Sequence, residues 1–539
     1  MESVESGIGW MLSLSLLASR DGDNSSPSST PSRLFVLSAT LVLVGLLTSF
    51  IHWTAPGGPA WGKYIFSRTS RRTAAIPGPR GLPLVGSMRL MSGLAHRRLA
   101  DAAQRLGATR LMAVSLGGTR VVVTSHPDVA KEILNSSAFA DRPVKESAYG
   151  LLFHRAIGFA PYGLYWRTLR RIASTHLFCP KQISASGHHR ARIAAEMVAE
   201  LGGTTGGGGA RVRDVLKRAS LSNVMSSVFG RRYGVGRAES EEARELRGLV
   251  EEGYDLLGKL NWSDHLPWLA GLDLQRVRSR CAELVPNVNR FVSRIIEEHR
   301  NKNGGEASDF VDVLLSLQGG DRLSDPDMVA VLWEMIFRGT DTVAVLIEWA
   351  LARLVIHEDV QARVHEELDR VVGRSRGVTE SDSASLVYLQ AVVKEVLRMH
   401  PPGPLLSWAR LSTSDVHVDG RLVPAGTTAM VNMWAITHDP SVWVNPLEFR
   451  PERFMGPSWS EFPILGSDLR LAPFGSGRRS CPGKALAMAT VTFWMATLLH
   501  EYRWLPATTT ADVELSEVLR LSCEMAKPLT VELLPRRGY

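Results

Sequence analysis

The chain has 539 residues, 45% hydrophobic and 22% charged, a balance too apolar and too mixed for a disordered protein and long enough for a large buried core. Its four cysteines (Cys179, Cys281, Cys481 and Cys523) form no CxxC pair, which excludes a zinc ribbon, a thioredoxin motif and a disulfide framework and fits a reducing compartment. The charge excess, 62 basic against 54 acidic residues, is thinly spread; it argues against nucleic acid and for an acidic partner or a membrane surface.

Near the amino terminus, Leu34 to Ile51 reads LFVLSATLVLVGLLTSFI, without a charge. Such a helix would be about 27 Å long, enough for a membrane span. A shorter apolar piece, Gly7 to Ala18, precedes it, and Glu2 and Glu5 stand where a cleaved signal would carry basic residues. Lys63, Arg68, Arg71 and Arg72 follow the span, so the positive-inside rule places the remainder in the cytosol. Ile76 to Pro83 (IPGPRGLP) holds three prolines and reads as a stiff spacer. The expected organisation is an amino-terminal segment (1–33), a transmembrane anchor (34–52), a basic and proline-rich linker (53–83) and one large body (84–539).

Within the body, Leu111 to Thr124 alternates around Gly117-Gly118, and Asp419-Gly420 sits between short apolar runs; both predict hairpins. Helical periodicity dominates elsewhere, over Ala191–Leu201, Asp214–Val228 and Arg276–Arg300. Gly202 to Gly209 is a glycine-rich loop without the GK[ST] ending of a phosphate-binding loop. The longest helix is predicted from Asp325-Pro326, with Asp325 as cap, to about His357. It is apolar nearly all round and should be buried, yet its middle reads Arg338-Gly339-Thr340-Asp341-Thr342. Polar groups inside a buried helix need a task, because leaving them unsatisfied is costly. The fold class is mainly α, an α-rich α+β arrangement with a small β portion.

The most specific pattern is Phe474-Gly475-Ser476-Gly477-Arg478-Arg479-Ser480-Cys481-Pro482-Gly483. A loop that offers one thiolate to a haem iron needs this chemistry. Glycines such as Gly475, Gly477 and Gly483 let the backbone approach a porphyrin, and Arg479 supplies a cation for its propionates. Phe474 supplies an aromatic face, and a helix starting after Gly483 would turn its positive end toward the sulfur.

On these residues the chain resembles the cytochrome P-450 superfamily of haem-thiolate monooxygenases, across about residues 76 to 539. Glu395-Val396-Leu397-Arg398 matches the ExxR helix of that family, since it alone among several ExxR pairs is followed by His400-Pro401-Pro402 and then by Phe449-Arg450-Pro451-Glu452-Arg453-Phe454. The resemblance implies a buried triad of Glu395, Arg398 and Arg453, haem b with Cys481 as its metal ligand, and Trp166, Arg170 and Arg410 beside the propionates. It also implies an oxygen-activation site in the long helix, in which Gly339 leaves room for dioxygen, Thr342 offers a hydroxyl and Asp341 relays protons. Two positions depart from the pattern. Arg338 replaces a small residue, and Val343 replaces a second hydroxyl residue. Arg338 shares a helix face with Thr342, so it is expected either to border the pocket and meet a substrate carboxylate or to reach a propionate or another helix.

The segments FRGTDTVAV, HPPGPLLSWAR, NMWAITHDP and APFGSGRRSCPG resemble the plant organ-size and plastochron-regulating (KLUH-type) subfamily. That implies a single-pass protein of the endoplasmic-reticulum membrane whose cytosolic domain acts on an apolar small molecule, a fatty acid or related growth-signal precursor. Its implied partners are membrane lipid and NADPH–cytochrome P-450 reductase, met by Arg167, Arg171, Arg478 and Lys484. By family position, substrate contacts are expected from Ala140–Leu164, 334–345, Pro404–Trp408 and Val518–Pro528. Two alternatives stay open: a haem-thiolate enzyme that rearranges hydroperoxides without dioxygen, and a membrane-tethered binding protein with no catalysis.

Overall fold

The structure is a computed structural model that describes residues 30–67, 75–203, 209–236, 240–301, 309–406, 409–456, 464–466, 468–509 and 513–536. The chain divides into two units, Met1–His52 and Trp53–Tyr539. The first holds most of helix α1 (Thr30–Thr54), within which Phe35–Thr54 is long and apolar enough to cross a membrane and packs none of that surface inside the protein. The Gly7–Ala18 stretch and Arg68, Arg71 and Arg72 lie outside the described residues.

The second unit is built mainly of helices. Those used below are α2 (Pro59–Ser67), α3 (Leu164–His176), α4 (Gly187–Gly202), α5 (Val212–Phe229), α6 (Glu241–Gly258), α7 (Val277–Arg300), α8 (Asp325–Ile356), α9 (Val387–Met399) and α10 (Lys484–Glu501). α4, α5, α7 and α8 cover the periodic stretches, and α8 runs 32 residues through the body. Its cap is Ser324, whose hydroxyl accepts from the Asp327 amide, one residue earlier than expected. A hydroxyl caps there without leaving Asp325 outside the helix, where its charge favours the positive end. The amino-terminal half of α8 is wrapped by an apolar cluster containing Phe153, Phe291, Trp333 and Phe337; the other half belongs to a second cluster with Trp349, Trp494 and Trp504. A helix apolar on every side is stable only in such a sleeve.

Both predicted hairpins form. β1 (Met112–Leu116) and β2 (Thr119–Thr124) pair antiparallel, and Asp419 and Gly420 turn with φ of 52° and 70° between Val416–Val418 and Arg421–Val423. β3 (Arg410–Leu411) and β4 (Thr428–Val431) complete a four-stranded sheet of order β1-β2-β4-β3, in which β2 and β4 run parallel. A further hairpin near the carboxyl end joins β5 (Glu517–Leu519) to β6 (Cys523–Met525).

The linker expectation needs correcting. Residues 55–61 and 76–79 pack onto β1 as part of the body. Trp61 Nε1 donates to the Val114 carbonyl at 3.1 Å, and the Ala113 amide donates to the Pro77 carbonyl at 2.8 Å. A Cβ on Gly78 would fall 1.8 Å from the Ala113 oxygen. Proline removes backbone donors but keeps acceptors, so this stretch can satisfy an open strand edge.

Candidate active site

A cavity of about 320 Å³ lies between α8, the amino-terminal end of α10, α3 and the loop before β3, and Cys481 lines it. The cysteine loop is shaped by two left-handed glycines, Gly475 (φ +68°) and Gly477 (φ +69°). A Cβ on Gly477 would fall 2.1 Å from the Leu134 carbonyl oxygen, so only glycine fits this approach. The Cys481 amide donates to the Phe474 carbonyl at 2.9 Å, and α10 begins at Lys484. Burial pushes the Cys481 thiol up, against the opposing pull of the Gly483 amide and the charges of Arg338, Arg170 and Lys484. Phe474, Gly475 and Gly483 line the same cavity.

Five guanidiniums reach this cavity: Arg142, Arg170, Arg338, Arg410 and Arg479. Burial, reinforced by Arg479 and Arg170, pushes Arg410 down to about 9. Its Nη2 donates to the Ser476 carbonyl at 3.3 Å, while its buried Nε and Nη1 meet no acceptor among the described residues. Burial is also the main cause that brings Arg479 to about 10, and it lowers Arg170. A buried cation with unmet donors is costly, and here it stands among other cations beside a cysteine. These residues fit a flat, dianionic group that brings acceptors for Arg410 and a metal for the sulfur. Haem meets that description.

Trp166 and Arg479 reach the cavity but spend their hydrogen bonds on backbone. Trp166 Nε1 donates to the Ile157 carbonyl at 3.0 Å. Arg479 donates to the carbonyls of Ala140, Ile157 and Ala160, and its guanidinium lies 4.4 Å from the Trp166 ring centroid. They therefore fix the segment around Ile157, and Arg479 adds charge.

The expected triad is assembled. Arg398 meets Glu395 through Nε at 2.8 Å and Nη2 at 2.9 Å, and Arg453 Nε donates to Glu395 Oε1 at 3.0 Å. Remaining donors go to the carbonyls of Thr437, Pro446, Glu448 and Val444, which ties down the chain leading to the cysteine loop.

The polar middle of α8 is divided. Thr342 lines the cysteine cavity, whereas Asp341 lines a separate cavity of about 400 Å³ and lies 3.3 Å from Lys217 Nζ. Neighbours on a helix point about 100° apart, and α5 brings a lysine to the Asp341 side. Thr340 bonds back to the Ile336 carbonyl at 2.7 Å. A Cβ on Gly339 would fall 2.3 Å from Val224 Cγ2, so this glycine admits α5 as well as bordering the cavity. Arg338 lines the cavity with its Nε donating at 2.8 Å to Glu334, and the same buried carboxylate accepts the Gly158 amide at 2.8 Å. This pair lies within α8 itself, one turn apart.

Of the substrate-contact segments, Ile157, Gly158, Leu406, Leu521 and Ser522 line the cavity; Ser407 and Trp408 lie outside the described residues. On the outer side, Arg171 pairs with Asp321 and Lys484 Nζ donates to the Leu465 carbonyl, while Arg167 and Arg478 are exposed. Sequence reasoning passed over Tyr254 and named Arg142 only as a member of the 140–164 segment. It included Glu334 in the 334–345 stretch but not its pairing with Arg338, although the spacing of four is a readable helix-pair signal.

The family model "Cytochrome P-450" matches residues 76–524. Among curated proteins, the chain is 66% identical to cytochrome P-450 78A9 of Arabidopsis thaliana, covering 92% of this chain and 93% of that protein. It is 48% identical to cytochrome P-450 78A1 of Zea mays, covering 99% and 98% of the two chains. Flavonoid 3'-monooxygenase of Arabidopsis thaliana is 36% identical over 85% of this chain and 91% of its own length.

Proposed function

The chain belongs to the cytochrome P-450 family, and on that premise we propose that it is a membrane-anchored haem-thiolate monooxygenase that inserts one oxygen atom into a C–H bond of an apolar small molecule. Electrons come from NADPH through NADPH–cytochrome P-450 reductase. The observation that carries this reading is the pairing of Cys481 with a cavity in which two buried Arg410 donors meet no acceptor among the described residues. Haem, when bound, supplies the oxygen-activating chemistry. Cys481 would provide the thiolate ligand, stabilised by the Gly483 amide and the positive end of α10. Arg410 and Arg170 would hold the propionates, and Arg479 would add positive charge. Thr342 keeps a hydroxyl in the cavity, and Asp341 brings protons from the charged side of α8. Met335, Val343 and Leu346 give the apolar wall that excludes water around the substrate.

Membrane attachment is supported by two features. α1 is apolar enough to cross a bilayer. On the body, Leu82, Leu84, Trp262, Trp268 and Leu272 are exposed, and their two segments meet at the β1–β2 turn, where the Gly117 amide donates to Val85 and the Gly118 amide to His265. Exposed tryptophans among leucines suit a lipid interface. We assign the protein to the endoplasmic-reticulum membrane with the body in the cytosol. Arg167 and Arg478 offer cations to an acidic reductase, and the substrate class is a fatty acid or related growth-signal precursor. The deciding experiment is the reduced, carbon-monoxide-bound spectrum of the purified protein. The thiolate-ligated Soret band is expected in the wild type and absent from Cys481→Ala; its absence from both rejects the proposal. Product formation should require both NADPH and reductase.

A further inference from the structure

Between the cysteine cavity and the charged cavity stands a two-ring slab. Tyr254 of α6 stacks on Phe337 of α8, with centroids 4.3 Å apart and planes 14° from parallel. Its hydroxyl donates to the Phe337 carbonyl at 2.6 Å, and burial pushes the phenol well up, so it remains a neutral donor. Behind the slab, Phe337 is braced by Phe153 and Trp333, at centroid distances of 5.0 and 5.9 Å. A Cβ on Gly253 would fall 2.9 Å from the Phe337 ring, so α6 approaches α8 closely here. Tyr254 and Ser522 line both cavities, which are therefore neighbours. Beyond them lies about 400 Å³ bordered by Lys217, Arg247, Asp255, Asp341 and Glu524.

We propose that Tyr254 is the end wall of the substrate cavity: it sets the longest apolar chain that fits while anchored on the Cys481 side, and it separates that chain from the charged space around Asp341. The inference rests on the haem-thiolate reading above. The physical argument is steric and dielectric together. A ring hydrogen-bonded at its tip and stacked on a braced partner does not swing aside at low cost, because both contacts would be lost at once. An apolar tail that passed it would enter a space walled by ion pairs, and the charged groups would lose solvation.

The test uses the full-length holoenzyme as wild type, Tyr254→Ala, Tyr254→Leu and Tyr254→Phe, with 1-alkylimidazoles of increasing tail length as probes. The imidazole nitrogen binds the iron and shifts the Soret band, so the tail measures the distance to the wall. In the wild type, affinity should climb about fourfold per methylene until the tail meets the ring, then level off. Tyr254→Phe keeps the ring and should keep that break point. Tyr254→Ala should move it to tails longer by two or more carbons, and Tyr254→Leu by fewer, provided the thiolate carbonyl band shows each variant folded. An unchanged break point in both shortened variants, with the imidazole shift intact, overturns the wall and leaves the haem reading standing. Loss of the imidazole shift and the carbonyl band from the wild type rejects both.

Discussion

Asp341 and Thr342 are consecutive in the sequence but face different cavities, and Lys217 holds the Asp341 carboxylate 3.3 Å away on the charged side. A proton donor placed there can serve the reaction without touching the ligand. Asp341→Asn should therefore lower turnover by about 10²-fold or more, in the range for loss of a general acid, and leave the spectral dissociation constant of a bound ligand unchanged. A parallel loss of ligand affinity would mean that the carboxylate lies in the substrate cavity after all.

Arg410 gives a prediction with opposite signs in two states. Its Nε and Nη1 are buried without acceptors, a cost of about 1–3 kcal/mol when no anion is bound. Arg410→Leu should raise the melting temperature of haem-depleted protein. The same change should lower the haem content retained after gel filtration. A variant that melts lower in the haem-free state would show that the guanidinium is satisfied within the chain.

The triad behaves as a unit because its members are buried together. Glu395→Ala leaves Arg398 and Arg453 facing each other without their shared carboxylate, and should cost about 3–5 kcal/mol. Replacing all three by neutral residues of similar volume should cost less than this single change. Denaturant midpoints of the single and triple variants decide it.

Arg338 presents its guanidinium to the cavity while bonded to Glu334. If a substrate carboxylate binds beside it, Arg338→Ala should reduce turnover of a fatty acid at least tenfold and spare its methyl ester. Equal effects on acid and ester would confine Arg338 to holding Glu334 and the Gly158 segment.

What was legible in the sequence was whatever lies within one short stretch. The cysteine loop, the Glu395–Arg398 spacing and the apolar run of α1 are local patterns, visible without any knowledge of packing. Long-range packing was not. Tyr254 reaches Phe337 only because α6 crosses α8, and Arg142 enters the cavity from a segment with no periodic signal. The side of α8 that Asp341 faces is not readable either, because its partner Lys217 lies more than a hundred residues away on α5. The proline-rich stretch was read as a spacer for the same reason: its missing donors are visible in the sequence, but the β1 edge that uses its carbonyls is not.

Two histidines near the triad predict acid sensitivity. His400 follows α9, stacks on Trp349 with centroids 3.9 Å apart and accepts from Arg353 Nε at 3.0 Å. Burial is the main cause that brings it down to about 4, with Arg353 adding to the shift and the nearby Glu517 carboxylate opposing it. His438 stacks on Trp434, and burial with the charge of Arg398 brings it down to about 3. Both folded values lie below the ordinary imidazole value of about 6.5. As pH falls below about 6.5, the unfolded chain takes up protons that the folded chain refuses, so stability is full above that pH and drains away as pH falls toward about 4. Each histidine contributes about 1.4 kcal/mol per pH unit across that window. Denaturant midpoints of the holoenzyme should therefore fall between pH 7 and pH 5, and His400→Gln should show a shallower slope than the wild type. A wild-type midpoint that is flat over this range would mean that neither imidazole is held neutral by its surroundings.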